Sequence, residues 1–299
     1  MQTWSTDTAR SLKSLGAIQI TDYSVVRDQW GRPFVTTDGQ PLKYEGKKKT
    51  PVNAVGYTRV STLAGALDDK SNLGDWLAAQ TAVGLIREKS VAAQVASLVS
   101  KYKDPWSQAK TQMKQLVSRA QTAASSDDGS GKGTAFHEFT EIVDAGGEPE
   151  FMPEEFKPWM DCYREVMSDY EVLAAEEFVV VDELQAAGSF DKLLRHKRSG
   201  RVQIGDLKTG ASDPRYPLKA AIQFASYAHG ERYDQVTGAR EVLHADLDLS
   251  EAVLIHVPIR GKSPSAAAYS VDIGAGWEFA KLAVRVREAR KMKPLEVVA

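Results

Sequence analysis

The spacing of apolar positions changes character along the chain, and each change marks an element. From Ser61 to about Thr122 it is helical, in S-T-L-A-G-A-L-D-D, G-D-W-L-A-A-Q-T-A-V-G-L-I-R-E-K and S-V-A-A-Q-V-A-S-L-V-S-K-Y-K, then again beyond the Asp104-Pro105 break. This predicts a helical subregion over 61–125. The polar tract S-S-D-D-G-S-G-K-G that follows reads as a loop. Helices are expected over Thr134–Ala145 and, past a Gly-Gly-Glu-Pro break, over about Pro153–Tyr170. There the period shortens. E-E-F-V-V-V-D-E, A-A-G-S-F-D-K-L-L-R-H and R-V-Q-I-G-D-L-K-T-G are three successive strand-like runs, the last two joined by K-R-S-G, which predicts an antiparallel meander. A helix over about Tyr216–Tyr233, strands A-V-L-I-H-V-P-I and A-A-A-Y-S-V-D-I, and a basic helix over about Gly276–Met292 complete the pattern. Residues 1–60 read as an arm with short strands. The order predicts a mixed α/β (α+β) fold whose core, residues 133–299, is a central mixed sheet flanked by helices.

Composition narrows the class of protein. With 299 residues and 42% hydrophobic side chains the chain can bury a real core. No apolar run approaches the roughly 18 residues of a membrane helix, and M-Q-T-W-S-T-D-T-A-R-S-L-K-S-L-G has no apolar stretch behind its charges. The expectation is a cytoplasmic protein without a membrane partner. Its one cysteine, Cys162, cannot by itself form a disulfide, a cysteine-rich zinc site or a four-thiolate iron–sulfur cluster. The net charge of −2 hides segregation: residues 85–120 carry seven Lys and Arg against Glu88 and Asp104, whereas 127–191 carry eighteen Asp and Glu against Lys132, Lys157 and Arg164. Basic residues dominate again over 192–219. A cation site beside a polyanion track fits this pattern, although solvated helices produce such alternation more often.

Candidate chemistry lies in the strands. Asp191, Asp206 and Lys208 sit in runs that otherwise call for burial, which is costly unless the charges are paired or metal-bound. Asp206 and Lys208 share a strand face, and pairing across K-R-S-G would bring Asp191 to them. Two carboxylates and an ammonium form a hard-oxygen site for Mg²⁺ or Mn²⁺, with an amine to orient water or stabilise charge developing on phosphate. A salt-bridged sheet edge is the alternative. Gly131-Lys132 is not a phosphate-binding loop, because Ser126 and Gly133 stand where that loop needs Gly and Ser or Thr. A G-x-S-x-G elbow and a dinucleotide-binding fingerprint are likewise missing.

The ordered set G-T-A-F-H-E-F-T-E, G-S-F-D, D-L-K-T-G and Q-F-A-S-Y, within residues 133–227, resembles the PD-(D/E)xK nuclease superfamily and specifically its RecB-like exonuclease branch. The resemblance implies a restriction-endonuclease-like core. It also implies metal binding by His137, Asp191, Asp206 and the Leu207 main-chain carbonyl, with Lys208 serving catalysis. Glu141, four residues from His137, could orient it. Gln223 and Tyr227 resemble the branch's Q-x-x-x-Y signature, and Glu177 is a further candidate near the metals, in competition with Glu176. Many members carry four cysteines for an iron–sulfur cluster; this chain cannot hold one.

The function implied is an Mg²⁺- or Mn²⁺-dependent DNA exonuclease of the kind found in phage recombination, replication or repair. DNA is the expected partner, with a phage recombination or single-strand-binding protein as a further one. A structure-specific endonuclease or nickase is an alternative within the same chemistry, and an idle DNA-binding scaffold one outside it. Phosphates need positive charge along their path, and the turn bearing Arg195, Lys197, Arg198 and Arg201 is the preferred track because it joins the two strands with the carboxylates.

Overall fold

The structure, a computed structural model, describes residues 25–124, 128–210, 214, 215, 217–293 and 295, with the backbone alone at 128–130. The first part of the expected arm, 1–24, and residues 125–127 of the expected loop lie outside this range. Short strands β1 (Phe34–Thr36), β2 (Ala54–Gly56) and β3 (Thr58–Arg59) lead into helix α1 (Val60–Ala64). Then come α2 (Ser71–Arg87), α3 (Lys89–Lys101), α4 (Pro105–Gln108), α5 (Lys110–Ala123), α6 (Asp128–Asp144) and α7 (Lys157–Met167). Strands β4 (Tyr170–Val181), β5 (Ala186–His196) and β6 (Val202–Lys208) follow, then α8 (Leu218–Ala228), β7 (Glu231–Tyr233), β8 (Arg240–Val242), β9 (Glu251–His256), β10 (Ala267–Asp272) and α9 (Ile273–Ala289).

The eight-stranded sheet runs β10-β9-β6-β5-β4-β7-β8, with β3 added alongside β5. It is mixed, since β6 pairs parallel to β9 and β3 parallel to β5 while the remaining pairings are antiparallel. The expected meander is β4-β5-β6, and its tight turn places Gly200 at φ +74°, a left-handed value that glycine reaches without penalty. The main core joins the sheet's Phe190, Leu193, Ile204 and Leu254 to α1, α8 and α9 through Leu63, Ile222, Phe224, Ile273 and Ala280. Burying such side chains contributes about 1.5–3 kcal/mol each. Helices α8 and α9 approach closely enough that a Cβ on Gly276 would stand 2.4 Å from the Ala221 carbonyl.

The chain divides into two compact units, one joining the described residues of Met1–Asp68 to those of Phe136–Ala299, the other comprising those of Asp69–Ala135. This corrects two expectations. The described part of the arm belongs to the sheet unit, because β3 extends the sheet and Val60, Leu63 and Ala64 of α1 enter its core. The helical unit is also shorter at its start than 61–125. It has a small core of its own, Val91, Leu116 and Ala120 packed with Leu85, Val95 and Leu98. A third correction concerns the Gly/Ser tract, which is helical from Asp128 onward as the first turns of α6. Beyond α8 the chain forms β7 rather than continuing as helix to Tyr233.

Candidate active site

β5 and β6 set the geometry. Lys192 pairs with Gly205, so the next register position puts Asp191 opposite Asp206. On the other side Ala175 pairs with Lys192 and Glu177 with Phe190, which puts Glu176 opposite Asp191. Three carboxylates thus cross β4, β5 and β6 in one row. The row sits on a distortion: Glu176 has φ 52°, left-handed and unusual for a residue other than glycine, and Phe190 and Leu193 both reach the main core although three apart. Strict alternation would turn one of them away. This slip lets Lys192 reach Asp144 on α6 at 2.5 Å while its neighbour Asp191 lies 3.7 Å from His137 Nδ1 on the same helix.

Asp206 is 2% exposed and Leu207 fully buried. Asp206 Oδ2 meets Lys208 Nζ as an ion pair but has no hydrogen bond of ordinary geometry among the described residues. The Leu207 N–H donates to Asp191 Oδ2 at 3.1 Å, and His137 bonds the Leu207 main chain. Burial, reinforced by Asp191, pushes the Asp206 carboxyl up to about 7. Glu176 is pushed up to about 8, again by burial first and then by Asp191 and Glu141. Burial also lowers His137 below the ordinary imidazole value, with Asp191 opposing, which favours the neutral ring. For Lys208 burial works downward, but Asp206 and Asp191 outweigh it and hold the ammonium above its usual range. Its side chain remains 44% exposed and so reaches solvent.

His137, Asp191, Asp206, Leu207 and Lys208 therefore lie together, and so do Gln223 and Tyr227. Gln223 donates to the Tyr227 hydroxyl at 3.3 Å, and Tyr227 is raised by burial, with further contributions from Asp206, Asp191 and Glu176. Glu141 shares their surroundings, raised by burial against the pull of Lys192, but no hydrogen bond links it to His137 among the described residues. Glu177 is a correction. Its carboxylate pairs with Arg232 at 2.7 Å, and Glu176 faces the row instead. The basic turn also differs from expectation: Arg195 pairs with Glu171 at 2.9 Å, Arg201 with Asp248 and with Glu251 at 2.8 Å, and Lys197 donates to the Ser168 carbonyl. Arg195 lies four residues along β5 from Asp191, about 13 Å at the rise of a strand. Sequence reasoning missed Lys192 and Asp144, a buried ion pair to which the Tyr163 hydroxyl also donates at 2.7 Å.

Among the described residues, no three His, Cys, Asp or Glu side chains are drawn tightly enough to enclose an ion as they stand. The donor set is nonetheless that of a hard divalent cation: carboxylates, a main-chain carbonyl and a neutral imidazole, with the buried Asp206 Oδ2 met by the Lys208 ammonium. A cavity of about 770 Å³ lies in the helical unit among Gln94, Leu98, Lys114 and Arg119 and has no carboxylate in its lining. It is not the candidate site. The chain matches no known family model, and no curated protein shows a significant match to it.

Proposed function

We propose that the protein is an Mg²⁺- or Mn²⁺-dependent DNA nuclease, with exonuclease action as the leading form. The observation that carries this reading is the row Glu176, Asp191 and Asp206 across three adjacent strands, flanked by His137 and Lys208. A set of carboxylates with one fully buried and two partly buried members is expensive, since each ionised member raises the cost of ionising the next. The local cations do not offset it: among the described residues Lys192 is committed to Asp144, and Lys208 is the one cation paired with Asp206. A divalent cation held by Asp206, Asp191, His137 and the Leu207 carbonyl, with Glu176 close by, would. Such a cation lowers the pKa of water and draws charge from phosphate oxygens.

The chain's own groups would do the remainder. Asp191 is held in place by the Leu207 N–H, which donates to one of its carboxylate oxygens. Lys208, partly exposed, can turn its ammonium toward negative charge developing at the phosphorus. Tyr227 and Gln223 wall the site from α8 and supply hydroxyl and amide groups to a bound strand. The test is a time course with Mn²⁺ on end-labelled linear and on circular DNA. Release of nucleotides from linear ends, with circles spared and with no release by Asp206→Ala, is the expected outcome. Cutting of circles would favour the endonuclease alternative; binding of DNA with no cleavage would favour the idle scaffold.

A further inference from the structure

Beside the carboxylate row, a polar cavity of about 360 Å³ is lined by Arg27, Arg59, Ser61, Gly188, Ser189 and Tyr227. Its two guanidinium groups come from segments 32 residues apart, yet among the described residues each bonds only neutral groups: Arg27 donates to the Gly31 carbonyl at 3.3 Å and Arg59 to Ser61 Oγ at 3.3 Å. The nearest acid in sequence, Asp28, is taken by Arg32 at 2.6 Å. Four other arginines of this unit, Arg195, Arg201, Arg232 and Arg240, meet carboxylates. Burial first, then the Arg59 charge, draws the Arg27 guanidinium below its usual range, as expected of two like charges held together. Two more arginines, Arg287 on α9 and Arg290 just past its end, approach the same segment through neutral partners, Thr58 Oγ1 and the Ala66 carbonyl.

Among the described residues no carboxylate meets Arg27 or Arg59. The position of the cavity bears on its ligand: Gly188 and Ser189 precede Asp191 on β5 by three and two residues, about 7–10 Å along a strand. Successive phosphates of one DNA strand climb 3.4 Å of helix axis while also turning about it, so they stand farther apart than that rise, and the cavity lies about one to two phosphates from the carboxylates. Tyr227 lines the cavity and also feels the charges of Asp206 and Asp191, so it stands between the cavity and the carboxylate row.

We propose that this cavity binds a phosphate group of the DNA strand whose scissile bond lies at the carboxylate row, an inference that rests on the nuclease reading. Arg27 and Arg59 supply planar donor pairs suited to phosphate oxygens, and Ser61 and Ser189 supply hydroxyls. The phosphate is either a terminal monoester or an internal diester; both present the same oxygens.

The experiment is equilibrium binding of fluorescent duplex DNA, with phosphorylated or hydroxyl ends, to the full chain in Ca²⁺ and again in EDTA across salt concentrations. Arg27→Gln/Arg59→Gln should bind about tenfold more weakly, with the slope of log affinity against log salt reduced by about 0.9 for each phosphate that the protein no longer neutralises. Arg27→Lys/Arg59→Lys should recover most of the slope, and an unchanged melting curve excludes misfolding. A loss confined to phosphorylated ends identifies the terminal monoester; an equal loss on both identifies the diester. A folded Gln variant that binds like the wild type overturns this site alone. A wild-type chain that binds no DNA overturns the nuclease reading, and this inference with it.

Discussion

Glu176 shows how much of the site rests on single residues. Its left-handed backbone costs about 1–2 kcal/mol in a residue with a Cβ, and its half-buried carboxyl stands beside two others. Strain of this kind persists where surrounding structure over-determines it, and function is a common reason. The raised Asp206 and Glu176 carboxyls also fix the sign of a pH effect. A carboxyl that takes up its proton more readily when folded than when unfolded favours the fold at low pH, and that advantage is lost as pH rises through about 7 and 8. Metal-free protein should therefore melt several degrees lower at pH 8.5 than at pH 5.5, and Mg²⁺ should restore much of the difference at the higher pH. Scanning calorimetry in chelator and in excess Mg²⁺ checks this; a melting temperature that rises with pH without metal would contradict it.

At the scale of elements, α6 delivers His137, Glu141 and Asp144 at intervals of four and three, so one helical face meets β5. The Asp144–Lys192 pair clamps that face, with both side chains under 5% exposed. Asp144→Ala would leave Lys192 buried without its counter-ion, at a cost of about 3–5 kcal/mol. Urea unfolding should show that loss, and Asp144→Leu/Lys192→Met should recover most of it; equal stabilities for the single and double variants would rule out the clamp. The meander, its turn and the residues of D-L-K-T-G were legible in the sequence, because alternation and glycine placement are local signals. The clamp was not, since a Lys in a strand and an Asp at a helix end look like surface residues until their elements pack. The choice of Glu176 over Glu177 was hidden for a related reason: alternation assigns faces only where the backbone is regular, and at φ 52° it is not. Strands β7 and β8, three residues each, were too short to leave a period.

At the scale of the molecule, charge placement separates the basic groups by their partners. The turn at Arg195 and Arg201 is neutralised by Glu171, Asp248 and Glu251, whereas Arg27 and Arg59 beside the carboxylate row meet only neutral groups among the described residues. The sequence showed how many basic residues each segment held but not which were already matched, because every matching acid is remote in the chain. The domain limits misled for a similar reason: a two-residue strand, β3, carries little pattern, yet its pairing with β5 ties the described part of the first 68 residues to the sheet. Nuclease chemistry at this place requires the carboxylate row to act as one cation site. Calorimetric titration with Mn²⁺ in the absence of DNA tests this most directly, comparing the wild type with Asp206→Ala, Asp191→Ala and Glu176→Gln. Binding by the wild type, a loss of at least about tenfold in each variant and no further additive loss in the Asp191→Ala/Asp206→Ala double variant is the predicted result. Equal Mn²⁺ affinity in the wild type and in Asp206→Ala would contradict it.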